Sequence, residues 1–289
     1  MITIMANGKI NLTLDVLGKR DDGYHEVEMV MQSINLSDKL TIEKIDICDI
    51  ILDCVVKGVL NKKDNLIYKA ADLFLRTYNI DCGVKISLEK NIPVAAGLAG
   101  GSTDAAAVLC GMNDLFGCGL SVETLCTLAA KLGSDVPFCV RGGTMLAKGR
   151  GEKLAPVASL PAGCAFVLIK PQLGVSTAWV YKNYQAQRVK KHPNNRLMLR
   201  ELEDKNLNGV CGSLGNVLES VTIGAYPQLA AYKEKLCRYG AKAALMSGSG
   251  PSIFAVCENI QVARKVADRM RNDYAELEVY EAVPASARK

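Results

Sequence analysis

The stretch Pro93-Val-Ala-Ala-Gly-Leu-Ala-Gly-Gly-Ser-Thr-Asp104 sets glycines at 97, 100 and 101 directly before an alanine-rich segment, residues 105–115. Glycine opens backbone angles closed to other residues and lets a ligand approach the main chain. A helix beginning just after such a loop offers unpaired N–H groups and the positive end of its dipole. Together they form an anion site, most often for phosphate; the competing reading is a structural turn before a buried helix. The common phosphate loop, Gly-x-x-x-x-Gly-Lys-Ser/Thr, is excluded because no lysine lies between Lys90 and Lys131. A nucleotide held here must therefore meet its catalytic cation from another part of the chain.

A length of 289 residues suits two domains, and the proline-rich, small-residue stretch 156–163 is the natural boundary. The net charge of +5, from 35 basic and 30 acidic residues, suits a small anionic ligand. The one basic cluster, Arg188, Lys190, Lys191, Arg196 and Arg200 beside Pro193, reads as a solvated loop and helix start, so no nucleic-acid partner is expected. Eleven cysteines without a Cys-x-x-Cys pair, and only His25 and His192, exclude zinc-site spacings. Cys110, Cys139, Cys164 and Cys257 lie in apolar runs and read as small buried hydrophobes. Unpatterned cysteines in odd number point to the reducing cytoplasm. No signal-peptide layout opens the chain, and no uncharged apolar run reaches membrane-spanning length, so no membrane partner is expected. The chain is expected to work as a monomer or weak homodimer.

Alternation marks residues 10–17 as a strand with Ile10, Leu12, Leu14 and Val16 on one face, followed by a charged turn at 18–23. Residues 27–34, 40–56, 84–88 and 144–148 are further strands, and 65–78 carries a helical stripe. A helix over 121–132 starts at a Ser121 cap and stops at Gly133; Ser134-Asp-Val-Pro137 opens another. The second half reads as strand (165–169), helices (about 176–184, 196–205, 214–223 and 226–239), strands 243–246 and 252–257, helix 260–272 and strand 277–282. This order predicts an α+β protein whose second half is an α/β sandwich.

Taken singly, the candidate chemical groups are ambiguous. Lys9 opens the first strand after Asn7-Gly8, where it can reach into a cleft or lie on the surface. Asp135 can cap a helix or face a cleft. Tyr24 and His25, after Asp21-Asp22-Gly23, can stack on or hydrogen-bond to a flat ring, or merely follow a hairpin turn. Asp104 can tie down a helix start or sit near magnesium. Ser247-Gly-Ser-Gly-Pro251 can be a plain hairpin turn.

Three segments together resemble the three motifs of the GHMP kinases, in that family's order: Gly8-Lys-Ile-Asn-Leu12 with Arg20-Asp-Asp-Gly-Tyr-His25, the glycine loop at 93–104, and Met246-Ser-Gly-Ser-Gly-Pro-Ser252. The resemblance implies two domains: a ribosomal S5 domain 2-like residues 1–155, carrying the ATP loop and the catalytic residues, and a ferredoxin-like α/β sandwich, residues 156–289, completing the cleft. It implies ATP and Mg2+ as cofactors, the magnesium ligands unassigned, with Pro93, Val94, Ala95, Ala96, Gly97, Leu98, Ala99, Gly100, Gly101, Ser102 and Thr103 at the nucleotide. Lys9 and Asp135 match the pair that flanks the reacting hydroxyl. The Asp-Gly-Tyr-His turn and residues 132–138 are most similar to the branch that phosphorylates the 2-hydroxyl of a cytidine-diphosphate-linked methylerythritol in non-mevalonate isoprenoid synthesis. Within that branch Asn11, Tyr24, His25, Thr177 and Tyr181 match substrate positions, with Trp179 or Tyr184 as alternative stacking rings. The rivals are a homoserine- or mevalonate-type kinase, or a non-catalytic nucleotide or sugar sensor on the same fold.

Asn7, Gly8 and Ala99 depart from the family pattern. Ala99 places a methyl group in the phosphate loop, tolerable at negative φ and costly at positive φ. The chemistry is coherent: phosphoryl transfer asks mainly for positioning and charge stabilisation. The loop would supply backbone donors, Lys9 the cation and Asp135 an acceptor for the hydroxyl proton.

Overall fold

The computed structural model describes residues 1–53 and 64–288; residues 54–56 of the expected strand 40–56 lie outside them. The first half contains β1 (Ile2–Lys19), β2 (His25–Ile45), β3 (Ile50–Asp53), α1 (Leu66–Thr77), β4 (Gly83–Glu89), α2 (Gly100–Phe116), α3 (Val122–Ala129), α4 (Val136–Arg141), β5 (Thr144–Gly149) and β6 (Lys153–Pro156). The second contains β7 (Ala165–Lys170), α5 (Thr177–Asn183), α6 (Asn195–Glu203), α7 (Leu207–Ser213), β8 (Gly215–Asn216), α8 (Glu219–Ala225), α9 (Gln228–Arg238), β9 (Ala243–Met246), β10 (Ile253–Cys257), α10 (Ile260–Asp273) and β11 (Glu278–Ala282). The architecture is α+β, in two sheets.

The first sheet runs β3-β4-β2-β1-β8, with β5 pairing the free stretch of β2 and carrying β6. The second runs β11-β7-β10-β9, the order of a ferredoxin-like split βαβ unit. The chain passes from one sheet to the other between Pro156 and Ala165, but β8 returns to pair in parallel with Thr13 and Leu14 of β1. That return replaces the start of the helix expected over 214–223: Gly215 and Asn216 are extended, and helix α8 begins only at Glu219.

The strands expected at 27–34 and 40–56 are one strand through Ile45, because Ser37 and Asp38 stay in the β1 ladder opposite Asn7 and Ala6. The β1–β2 register shifts between Asn11 and Thr13, and a one-residue bulge turns a strand over. Ile10 and Leu12 therefore pack with Phe166 and Phe254, whereas Leu14 and Val16 join Met29 and Phe138. The single face expected for these four residues is divided between two cores, and the bulge leaves Lys9 and Asn11 buried beside the cleft.

Helix α2 is buried along most of its length, from Thr103 to Met112, as an alanine-rich helix apolar all round requires. Its small residues bring it close to the sheet; a Cβ on Gly111 would stand 2.8 Å from Ile42 Cδ1. Residues 283–288 cross back onto the first sheet: Asn35 N donates to Val283 O, Ala285 N to Ser33 O and Arg288 N to Arg141 O. Cys110, Cys164 and Cys257 are buried free thiols and Cys139 is partly buried. Among the described residues no helix is long and apolar enough to cross a membrane.

Candidate active site

The glycine loop is built from alternating backbone hands. Ala95, Gly97 and Ala99 have φ of 53°, 74° and 58°, and the residues between them do not. Alternation of this kind turns successive N–H groups toward one side and makes an anion-binding concavity. Ala99 occupies the N-cap position of α2 in the left-handed region and makes no side-chain cap bond. The first N–H groups of a 17-residue helix thus face the loop uncapped. The methyl of Ala99 falls in the costly case, and Ala95 shares it; a non-glycine residue there costs about 1–2 kcal/mol. Such strain collects at binding sites, where the backbone shape serves the ligand.

Two other segments close on this loop. Lys9 Nζ donates to Gly97 O at 3.0 Å and to Asn11 Oδ1 at 2.8 Å, and its backbone N–H donates to Leu98 O at 3.1 Å. Ser247 Oγ donates to Gly97 O at 3.0 Å, and a Cβ on Gly248 would stand 3.3 Å from both Lys9 Nζ and Gly97 O. The 247–251 turn is therefore packed into the loop and is more than a hairpin connection. Asn216, on the returning strand β8, holds it with Nδ2 donating to Met246 O and Gly248 O.

Asp135 stands at the N-cap position of α4 but makes no cap hydrogen bond. Its Oδ2 lies 3.9 Å from Lys9 Nζ instead, the lysine side chain being almost fully buried and the aspartate a third exposed. The pair joins the glycine loop to an aromatic wall. His25 lies 5.1 Å from Tyr181, centroid to centroid and tilted by 32°, and meets Tyr184 edge-on at 6.3 Å. Burial, then Lys19, holds the His25 imidazole below its usual range, so it presents one donor and one acceptor at neutral pH. Burial, then Asp135, pushes the Tyr181 phenol up. Thr177 Oγ1 and Ser249 Oγ, both on the cleft wall, are hydrogen-bonded at 2.8 Å. Of the stacking alternatives, Tyr184 lines the cleft and Trp179 does not.

Lys9, Asp135, the rings of His25, Tyr181 and Tyr184, Thr177 and Ser249 line one cleft with the glycine loop; its volume is about 1020 Å³, large enough for a nucleotide and an acceptor together. Lys9, Asn11, Tyr24, His25, Asp135, Thr177 and Tyr181 are on its wall with Ala95, Ala96, Gly97, Ala99, Gly100, Gly101 and Ser102. Pro93, Val94, Leu98 and Thr103 are not: Leu98 points into the core, and Thr103 Oγ1 donates to Asn7 O. Sequence reasoning missed Lys19, Arg150 and Lys182, three cations of the same wall. The only signal for Arg150 was its place between two glycines in Gly149-Arg-Gly-Glu152.

Asp104 neither caps the helix nor faces the cleft. It is buried behind the loop, where Lys90 Nζ bonds its Oδ2 at 2.9 Å and also bonds Asp38. Asp38 further accepts the N–H groups of Asn91 and Ile92, and Asp104 Oδ1 has no partner. Burial pushes the Asp104 carboxyl up to about 7; Lys90 opposes the rise and Asp38 adds to it. The folded state thus keeps a proton that the unfolded chain releases near the ordinary aspartate value. Stability from this site is highest below pH 4 and is lost as pH climbs to about 7. Asp104→Asn cannot ionise, and its amide can donate to Asp38. It should be more stable than the parent at pH 8 by on the order of 2 kcal/mol, with the gap closing toward pH 4.5. Urea midpoints across that range test this; a pH-independent difference would refute it.

Comparison with known proteins adds a second line of evidence. The model of the GHMP kinases N terminal domain matches residues 65–143, and that of the GHMP kinases C terminal domain matches 185–276. A protein of Listeria welshimeri named 4-diphosphocytidyl-2-C-methyl-D-erythritol kinase is 48% identical over 270 residues, 93% of this chain and 92% of its own. One of Clostridium botulinum with the same name is 47% identical over 272 residues, 94% and 96% of the two chains. A solved 4-(cytidine 5'-diphospho)-2C-methyl-D-erythritol kinase superposes with a TM-score of 0.84 at 32% identity, covering 99% of this chain and all of the other. Homoserine kinase from Cytophaga hutchinsonii, at 20% identity and a TM-score of 0.79 over 100% and 95% of the two chains, shares the fold.

Proposed function

The chain belongs to the GHMP kinases, and from that premise we propose that it transfers the γ-phosphoryl group of ATP to the 2-hydroxyl of 4-diphosphocytidyl-2-C-methyl-D-erythritol, giving the 2-phosphate and ADP in isoprenoid precursor synthesis. The observation that carries this reading is the position of Lys9. Its ammonium touches the glycine loop at Gly97 O and stands 3.9 Å from Asp135, which supports a reading in which one cation serves both a phosphate on the loop and a hydroxyl at the carboxylate.

In this mechanism the uncapped N–H groups of the 99–102 segment hold the triphosphate. Asp135 orients the hydroxyl and accepts its proton as the O–P bond forms. Lys9 offsets negative charge on the transferring group. His25, with Tyr24 and Tyr181, takes the cytosine: the rings supply faces and the neutral imidazole one hydrogen bond. Among the described residues no group of three or more His, Cys, Asp or Glu would hold a metal ion. Magnesium entering with the nucleotide would find the Ser102 hydroxyl and the Asp135 carboxylate on the cleft wall to hold it, and would supply charge neutralisation at the phosphates.

Incubation with ATP, Mg2+ and the cytidine-linked acceptor, followed by phosphorus NMR, should give one phosphorylated acceptor, the 2-phosphate, together with ADP. Homoserine and mevalonate should give none. Product from either of those, or from no acceptor at all, would overturn the reading. Tyr181→Ala should raise KM for the acceptor and leave KM for ATP unchanged.

A further inference from the structure

Resting on that reading, we propose that Arg150 binds the diphosphate of the acceptor and so makes the enzyme select a nucleoside diphosphate over a bare nucleoside. The acceptor must put its base among the rings of His25 and Tyr181 and its hydroxyl at Lys9 and Asp135. Its diphosphate then spans the space between.

The turn between β5 and β6 flanks that space. A Cβ on Gly151 would lie 4.0 Å from Asp135 Oδ1, and the Arg150 guanidinium carbon sits 4.7 Å from the centroid of Tyr24. The chain therefore runs from the catalytic carboxylate to the aromatic wall within two residues, and it carries a cation there. The turn is pinned by Arg150 N donating to Glu152 Oε2 at 2.6 Å.

Among the described residues no ion pair engages Arg150, although it feels the Asp22 carboxylate from a distance. Asp22 and Glu26, the acids beside Tyr24, are paired with Arg20. Lys9 faces Asn11, Gly97 and Asp135, at the reacting end of that space. Stacking uses only the face of a guanidinium, and its edge keeps N–H donors for two oxygens of a phosphate. Tyr24 is half exposed, so the arginine lies at the cleft mouth, where an incoming anion meets it first.

The test is calorimetric titration with CDP and with cytidine, the phosphate loop being filled by a saturating non-hydrolysable ATP analogue with Mg2+. The parent should bind CDP about tenfold or more tightly than cytidine. Arg150→Ala should lose about that factor for CDP and stay within about twofold for cytidine, and Arg150→Lys should lie between. KM for the full acceptor should rise in Arg150→Ala while KM for ATP holds. If Arg150→Ala keeps the parental preference for CDP, or weakens both ligands equally, the assignment is wrong and the acceptor reading stands. If the parent binds neither CDP nor cytidine, the acceptor reading falls and the assignment falls with it.

Discussion

Asp135→Asn is expected to bind MgATP as the parent does and to turn over about a hundredfold or more slowly, the scale of a lost general base. The fold should not notice the change. Asp135 makes no cap hydrogen bond at α4, so the helix does not depend on it, and the amide is isosteric. What disappears is a proton acceptor and a negative charge facing Lys9 at 3.9 Å. Lys9→Ala should cost kcat as much, and it differs in one respect. It also removes the bond to Gly97 O inside the glycine loop, so KM for ATP should rise there and not in Asp135→Asn. The double variant should be little worse than either single one, because residues that act as a unit are not additive. Steady-state kinetics with both substrates varied decide the matter. Turnover by Asp135→Asn above a tenth of the parental rate would refute the assignment of the base.

Gly97→Ala should abolish nucleotide binding and unfold the joint between the two sheets, at a cost of about 4 kcal/mol or more. At φ +74° an added Cβ would come within 2.2 Å of Ser247 O and 3.2 Å of Gly250 O, both backbone atoms that no rotamer change can remove. The comparison with its neighbours is instructive. Ala95 and Ala99 carry methyl groups at similar φ, so backbone hand alone does not forbid a side chain in this loop. Position 97 adds the collision. Gly163→Ala separates the two effects: φ is +85° with nothing within 4 Å, so only the conformational term, about 1 kcal/mol, should appear. Thermal unfolding of the two variants with and without ATP measures the difference. Equal losses would mean that the 247–251 turn yields.

The glycine loop was legible because three glycines before an alanine-rich helix have few other uses. The helix start at Ser121 was legible because its side chain makes the cap bond the residue type predicts, and the helix over 65–78 was legible from its apolar stripe. Lys9 and Asp135 were legible only jointly, since a strand-opening lysine and an aspartate before a helix each have an ordinary explanation. The rest depends on contacts between distant segments. Strand β8 is two residues long and pairs only because β1 offers an edge. The register shift that divides Ile10 and Leu12 from Leu14 and Val16 is set by the partner strand, with no local pattern to announce it. Arg150 reads as part of a solvent turn until Tyr24 and Asp135 are brought to either side of it. Asp104 looked like a helix-start residue because its partner Lys90, which it shares with Asp38 of β2, lies outside its helix.

The segment from Val283 to Arg288 lies along the first sheet, with Val283 N donating to the side chain of Asn35, 248 positions earlier. During translation the strand carrying Ser33 and Asn35 leaves the ribosome long before its neighbour exists. Synthesis proceeds at about 5–20 residues per second, so that edge waits on the order of ten seconds or more for its partner. A nascent chain in this interval presents unpaired backbone groups to anything nearby. The first sheet, although made first, is among the last parts of the molecule to be finished.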